Sequence, residues 1–424
     1  MYIMKNYFYK GTKNLLDERR KTNEHESQTD KKDQGKDDLD FIKDFIKGFF
    51  DMKNVCFLFG SGTSVPAIPT MNELYSGLKS SECFNDTEEK QLSGINDEKN
   101  IEKLLSVLYS YRVFLESSKI VDGVKTEESI TYKLVCNCIN KIERHVFHSI
   151  NVSKEEENYN CVMKNYETFY SKLVFRNKDL SRLCVFTTNN DLFNERAMDK
   201  LNIHYIDGFA GGLKRYFNPA MFNYSLSKRL DTSINKYEPV ENMVYLYKLH
   251  GSVNWIEDNN RENTYFNIRE LSDAKDFDPS RSYMIYPNAL KQTKSLGAPY
   301  VDIFREFQHK LLEPNIVLFV IGYSFGDDHI NDIIYRALAT NSSINLVIIN
   351  KLDDNKTICN INDGRIYRIW SDISNENEDE GIPLHYFSTI VNELLPIEDS
   401  LARDKERKLI ENFIRSISDS TNNL

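Results

Sequence analysis

Apolar and polar positions along this chain fall into blocks whose period changes near residue 181. Residues 17–40 mix charges of both signs with no apolar period, which predicts a mobile arm over residues 1–40. The first sixteen residues are more apolar, and the expectation is that they dock on a neighbouring subunit. From residue 41, Phe41, Ile42, Phe45, Ile46 and Phe49 recur at helical spacing, so the globular body begins there. A fully apolar strand, residues 55–59, follows and runs into "GSGTSVPAIPT". Thr70 and Glu73 then fit a capping box, so the next helix starts near residue 71. Residues 71–180 read as several helices with polar joints and no strand, a helical insertion or subdomain. Beyond 181, short apolar runs at 183–186, 244–249, 283–287, 316–321 and 345–350 alternate with helical patterns such as Ile330, Ile333, Ile334, Ala337 and Leu338. Unbroken apolar strands are covered on both faces, so the body over residues 41–400 is a doubly wound α/β fold with a parallel sheet. Residues 401–424 read as a last amphipathic helix, and there is no internal repeat.

Parallel strands share a direction, so the residues that follow them crowd one edge of the sheet, where open α/β sheets bind ligands. Five runs end in polar or glycine-rich segments: "GSGTS" after residue 59, "TTNND" after 186, "HGS" after 249, "GYSFGDD" after 321, and Asn350. That convergence predicts a nucleotide-type crevice. "GSGTS" offers bare amides at Gly60 and Gly62 and hydroxyls at Ser61, Thr63 and Ser64, suited to a pyrophosphate. It is neither the G-x-G-x-x-G fingerprint, because residue 65 is Val, nor a P-loop, because it lacks the lysine. His250 at a strand end is a candidate for acid–base work. The acidic pair Asp327 and Asp328 is read as a helix N-cap and not as metal ligands.

Composition narrows the field. The chain has 424 residues, 40 % hydrophobic and 28 % charged, enough for a large core, and its net charge of −10 excludes a surface given over to nucleic acid. No sequence-specific nucleic-acid binding is expected. The longest apolar run, residues 316–323, is far short of the ~20 residues of a membrane span, and the start has no signal-peptide core, so the expectation is a cytoplasmic protein without a membrane segment. The seven cysteines include no C-x-x-C pair, so no zinc or other metal is expected.

The five segments "GSGTS…IPT", "TTNND", "KLHGSVNW", "GYSFGDD" and "LVIIN", in this order, resemble the motif series of the sirtuin-like NAD-binding fold. They are most similar to the sirtuin-like NADases of bacterial antiphage defence. The resemblance implies that Asn189 and His250 are the catalytic pair and that Asp191 closes the T-x-N-x-D motif. It also implies that Gly60, Ser61, Gly62, Thr63 and Ser64 form the phosphate loop, with Gly322, Ser324 and Asn350 near the adenosine half of NAD. Asn190 departs from the tyrosine common in the defence enzymes. Deacylating sirtuins carry a four-cysteine zinc module, and this chain has no such pairs, so hydrolysis of NAD⁺ to nicotinamide and ADP-ribose is expected over deacylation. The resemblance further implies a homo-oligomer and, as partner, a HerA-type ATPase. The alternatives are an NAD-dependent deacylase and a non-catalytic NAD or ADP-ribose binding module.

Overall fold

The computed structural model describes residues 5–23, 31–81, 83–95, 99–118, 120–174, 180–231, 235–258, 267–272, 282–284, 299–372 and 382–395. In chain order, β1 (Lys5–Lys10), β2 (Lys13–Asn14), α1 (Leu15–Asn23) and α2 (Lys31–Phe50) lead into β3 (Asn54–Phe59). The insertion follows, with α3 (Met71–Ser80), α4 (Asp86–Ser93), α5 (Ile101–Ser117), the hairpin β4 (Ile120–Val121) and β5 (Val124–Lys125), and α6 (Ile130–Ile150). Then come α7 (Tyr159–Leu173), β6 (Leu183–Thr187), α8 (Phe193–Lys200), β7 (His204–Ile206), β8 (Phe209–Ala210) and β9 (Arg215–Phe217). After a hairpin of β10 (Ser227–Asp231) and β11 (Lys236–Pro239), the chain forms β12 (Met243–Lys248), β13 (Gly251–Glu257), β14 (Ile268–Glu270) and β15 (Ser282–Met284). It continues with α9 (Tyr300–Leu311), β16 (Ile316–Ile321), α10 (Asp328–Thr340), β17 (Asn345–Ile349) and β18 (Ile366–Asp372), and a last helical segment over 387–394 packs on the main core.

The main sheet has the order β2-β1-β18-β17-β16-β3-β6-β12-β7. Every pair from β18 to β7 is parallel. Successive strands spread from β3 toward β12 on one side and from β16 toward β18 on the other, so the order reverses between β3 and β16. Alternate strand residues feed two cores. Phe57, Phe59, Val185 and Phe319 pack with α2 and α7 on one face, and Leu58, Phe186, Leu318 and Val320 pack with α9 and α10 on the other. This is the doubly wound fold the apolar runs imply.

Four expectations change. Residues 5–10 are not part of a mobile arm but pair antiparallel with β18 as a strand of the main sheet. Much of the expected mobile arm is α1 and the start of α2, because its opposite charges pair between the two helices: Arg19 with Asp37 at 2.9 Å, and Arg20 with Asp38. Of the run at 283–287, the described residues Tyr283 and Met284 lie in β15 of a second, antiparallel sheet, β15-β13-β14-β9-β8, and not in the parallel one. Within 71–180, a short hairpin interrupts the helices, and α7 belongs to the main core, where Phe169 packs edge-on to Phe57 with ring centroids 4.9 Å apart. The insertion proper, α3 to α6, has its own core around Leu78, Leu105, Leu108, Ile139 and Ile142. It is anchored by Val253 of β13 and by Leu192. The helix expected at 401–424 lies outside the described residues.

Candidate functional site

The loops after β3 and β16 interlock at the point where strand order reverses. Gly60 N donates to Ile321 O and Gly62 N to Gly322 O, both at 3.0 Å. A Cβ on Gly60 would stand 2.5 Å from Gly322 O and from Tyr323 Cα, and Gly322 itself has φ +65°. Side chains are excluded here by the neighbouring backbone. Thr63 N and Ser64 N are likewise bonded, to Gly60 O and Ser61 O at 3.0 Å. The expected bare-amide cradle at Gly60 and Gly62 is therefore corrected: those amides hold the two loops together, and the glycines permit the close approach.

Behind the loops lies a buried network that sequence reasoning did not assemble. Asn189 Nδ2 donates to Thr63 Oγ1 at 3.0 Å and Ser64 Oγ at 3.1 Å, leaving its carbonyl oxygen to the cleft. Both hydroxyls also meet Tyr166 OH of α7, at 2.7 and 3.0 Å. Ser64 Oγ donates to Asp191 Oδ2 at 2.7 Å, and Asp191 Oδ1 accepts from Phe193 N at 3.0 Å. Burial raises the Asp191 carboxyl above the usual range, with the Lys248 ammonium and the Ser64 hydroxyl opposing it. Burial likewise raises the Tyr166 phenol, so it stays protonated. Lys248, at the end of β12, donates to Asp191 O, to Glu195 Oε1 at 2.8 Å and to Ser252 Oγ at 2.7 Å. Asp191 thus ties three loops together with both oxygens engaged.

His250 leaves β12 at the edge, and Gly251 takes φ +80° to turn the chain back into β13. Asn190 now has a role. Its Nδ2 donates to His250 O at 2.7 Å and Gly251 O at 3.2 Å, while its own carbonyl accepts from Val253 N at 3.0 Å. It links the "TTNND" loop to the "HGS" turn. His250 Nε2 lies 3.0 Å from Asp327 Oδ2. Asp327 is the N-cap of α10, as expected, but its second oxygen serves the histidine.

These loops line a cleft of about 390 Å³. Of the expected site residues, Ser61, Ser64, Asn189, Asp191, His250, Gly322 and Ser324 reach it. Gly60 and Thr63 are buried behind the wall, Gly62 is exposed outside the lining, and Asn350 Nδ2 braces Tyr323 O at 3.0 Å. The opposite wall comes from the insertion and is mostly apolar: Leu74, Ile101, Val146 and Ile150, with Asn100 and Glu102 at the rim. Among the described residues, no group of three or more His, Cys, Asp or Glu side chains is placed to hold a metal ion.

The stretch from β6 to just past β17 also carries a sequence signature. Residues 183–357 match the family model of the SIR2-like domain. The sheet is accordingly of the sirtuin-type, Rossmann-like kind. The chain is similar to the crystal structure of a Sir2 homolog–NAD complex, at 13 % identity over 83 % of this chain and 91 % of that one, TM-score 0.37. It is similar also to a mutant Sir2 homologue in complex with ADP-ribose, at 13 % identity over 83 % and 94 %, TM-score 0.36. A Sir2–p53 peptide–NAD⁺ structure matches at 11 % identity over 74 % and 89 %, TM-score 0.33. No curated protein matches the chain in sequence. Among the described residues, no helix is long and apolar enough to cross a membrane.

Proposed function

We propose that this chain hydrolyses NAD⁺ at the bond between nicotinamide and ribose, releasing nicotinamide and ADP-ribose. One observation carries the reading: Asn189 and His250, from two different strand ends, line one cleft, and each is held by a hydrogen-bonded frame. The C1′–N bond breaks with its electron pair passing to the pyridinium nitrogen, so nicotinamide leaves neutral and needs no proton. Positive charge moves to the ribose, and the barrier is that oxocarbenium-like sugar. The Asn189 carbonyl is available to hold a ribose hydroxyl or the attacking water. Water adds to C1′, and His250 accepts its proton. Ser61 and Ser324, both exposed on the cleft, offer hydroxyls to the pyrophosphate side.

The apolar wall supports hydrolysis over acyl transfer. Leu74, Ile101, Val146 and Ile150 stand across the cleft from the polar edge, where an acyl-lysine strand would need room and backbone partners. In the setting the motif resemblance implies, the reaction depletes NAD⁺ in the cytoplasm during antiphage defence, governed by assembly of copies of this chain with a HerA-type ATPase. Exposed apolar side chains, Phe114, Ile120 and Ile130 on the insertion and Leu230 and Tyr237 on the β10–β11 hairpin, favour assembly.

The test is nicotinamide release from NAD⁺ with and without the ATPase, beside an acyl-lysine peptide. His250→Ala should lower release by about 10²–10⁴-fold with the circular dichroism unchanged. Unchanged turnover would overturn the assignment, and O-acyl-ADP-ribose as the product would favour deacylation. A monomer fully active alone would remove the assembly part.

A further inference from the structure

Resting on the hydrolase reading, we infer that Asp327 is a positioning residue that fixes the tautomer of His250. The argument begins with the helix cap. Asp327 Oδ1 accepts from His329 N at 3.0 Å and Ile330 N at 3.4 Å, which uses one carboxylate oxygen to start α10. Tyr323 OH donates to Asp327 O at 3.1 Å and pins the backbone of the same residue. The carboxylate plane is therefore set by the helix, and Oδ2 is delivered 3.0 Å from His250 Nε2. A carboxylate only accepts, so Nε2 must carry the hydrogen and the lone pair must sit on Nδ1. Among the described residues Nδ1 has no protein partner, and His250 lines the cleft. Asn190 Nδ2 donates to the His250 carbonyl, which fixes the backbone from which the ring projects.

Capping requires one oxygen, and Asn or Ser would supply it as well as Asp. Orienting a base requires the second oxygen and its charge. When Nδ1 takes the proton from water, the resulting imidazolium has its other N–H already donated to an anion, which stabilises it as it forms. The remaining titratable and charged groups of the cleft are Asp191, Glu102 and Tyr323, with Lys248 beneath the Asn190 loop. Asp191 has both oxygens engaged elsewhere, which leaves Asp327 as the carboxylate on the ring.

Asp327→Asn and Asp327→Ser separate the two roles, because both keep the cap. In Asp327→Asn the amide oxygen caps the helix and the amide N–H₂ faces Nε2, which drives the hydrogen to Nδ1 and removes the base. Nicotinamide release should fall by about 10²–10⁴-fold, mostly in kcat. Asp327→Ser leaves Nε2 to water, so it should lose less than Asp327→Asn. A readout independent of turnover is the ¹⁵N spectrum of histidine-labelled protein at a pH where histidine is neutral. Nε2–H is expected for His250 in the wild type and Nδ1–H in Asp327→Asn. Full activity in Asp327→Asn, or Nδ1–H in the wild type, would overturn the inference. If the wild type releases no nicotinamide, the hydrolase reading falls while the tautomer measurement still decides the pairing.

Discussion

Glu270, on β14, and Asp207 share one cation. Arg215 reaches Asp207 at 2.7 Å and also contacts Glu270. A single guanidinium cannot neutralise both carboxylates in a desolvated site, so one proton is retained. Burial and then the Asp207 charge push the Glu270 carboxyl up to about 8, and Arg215 only partly opposes them. Below about pH 4.5 the side chain is protonated folded or unfolded, and it costs nothing. As pH rises toward 8 the unfolded chain ionises this glutamate and the folded chain resists, so stability declines through that window and levels off above it. Glu270→Gln should therefore gain stability relative to the wild type between pH 4.5 and 8, read as a rising difference in denaturant midpoint. A difference independent of pH would show that the proton lies elsewhere. Little of this was legible beforehand, since Glu270, Asp207 and Arg215 are separated in sequence and carry no motif. Lys248 is similar: it stands in "KLHGS", yet only the fold shows that its ammonium is buried against Asp191 and Glu195.

The elements themselves were largely legible, because unbroken apolar runs admit few alternatives and capping residues mark helix starts. Thr70 and Glu73 form the reciprocal capping box the sequence implies, with Thr70 N donating to Glu73 Oε2 at 2.7 Å. What an isolated glycine does was not legible. Gly60 and Gly62 read equally well as a phosphate loop, and the decision came from the backbone of the loop after β16, distant in sequence. Gly60→Ala should destabilise the protein by about 1–3 kcal/mol and depress nicotinamide release, since its Cβ meets backbone that has no rotamer to yield. Gly48→Ala is the control. It lies in α2 with nothing within 4 Å, so there the alanine should stabilise by about 0.5–1 kcal/mol without touching activity. Equal effects at the two positions would refute the interlocking of the loops.

At the level of the molecule, the N-terminal strand closes the far edge of the sheet with an aromatic stack. Tyr7 and Tyr9 of β1 flank Trp370 of β18, with centroids 5.0 and 5.2 Å apart and near-parallel planes, and Arg368 lies over Tyr9. Trp370→Ala removes both stacks and should cost about 1–3 kcal/mol, seen as a lower denaturant midpoint and faster proteolysis near residue 10. Nicotinamide release at low temperature should not change, because this edge contributes nothing to the cleft. A parallel loss of activity would show that the strand supports the site after all. The sequence by itself determined β3, β6, β12, β16 and β17, the polar ends that follow them, and the five motifs, because these depend on residues close together in the chain. Only the tertiary structure decided that the N-terminus pairs within its own chain and that the insertion forms the apolar wall. The same holds for the partners the fold supplies: Tyr166 for the Thr63 and Ser64 hydroxyls, Asp327 for His250, and the loop after β16 for the phosphate-loop glycines. Each of these rests on groups brought within hydrogen-bond or van der Waals reach from distant segments, and such proximity leaves no local trace in a sequence.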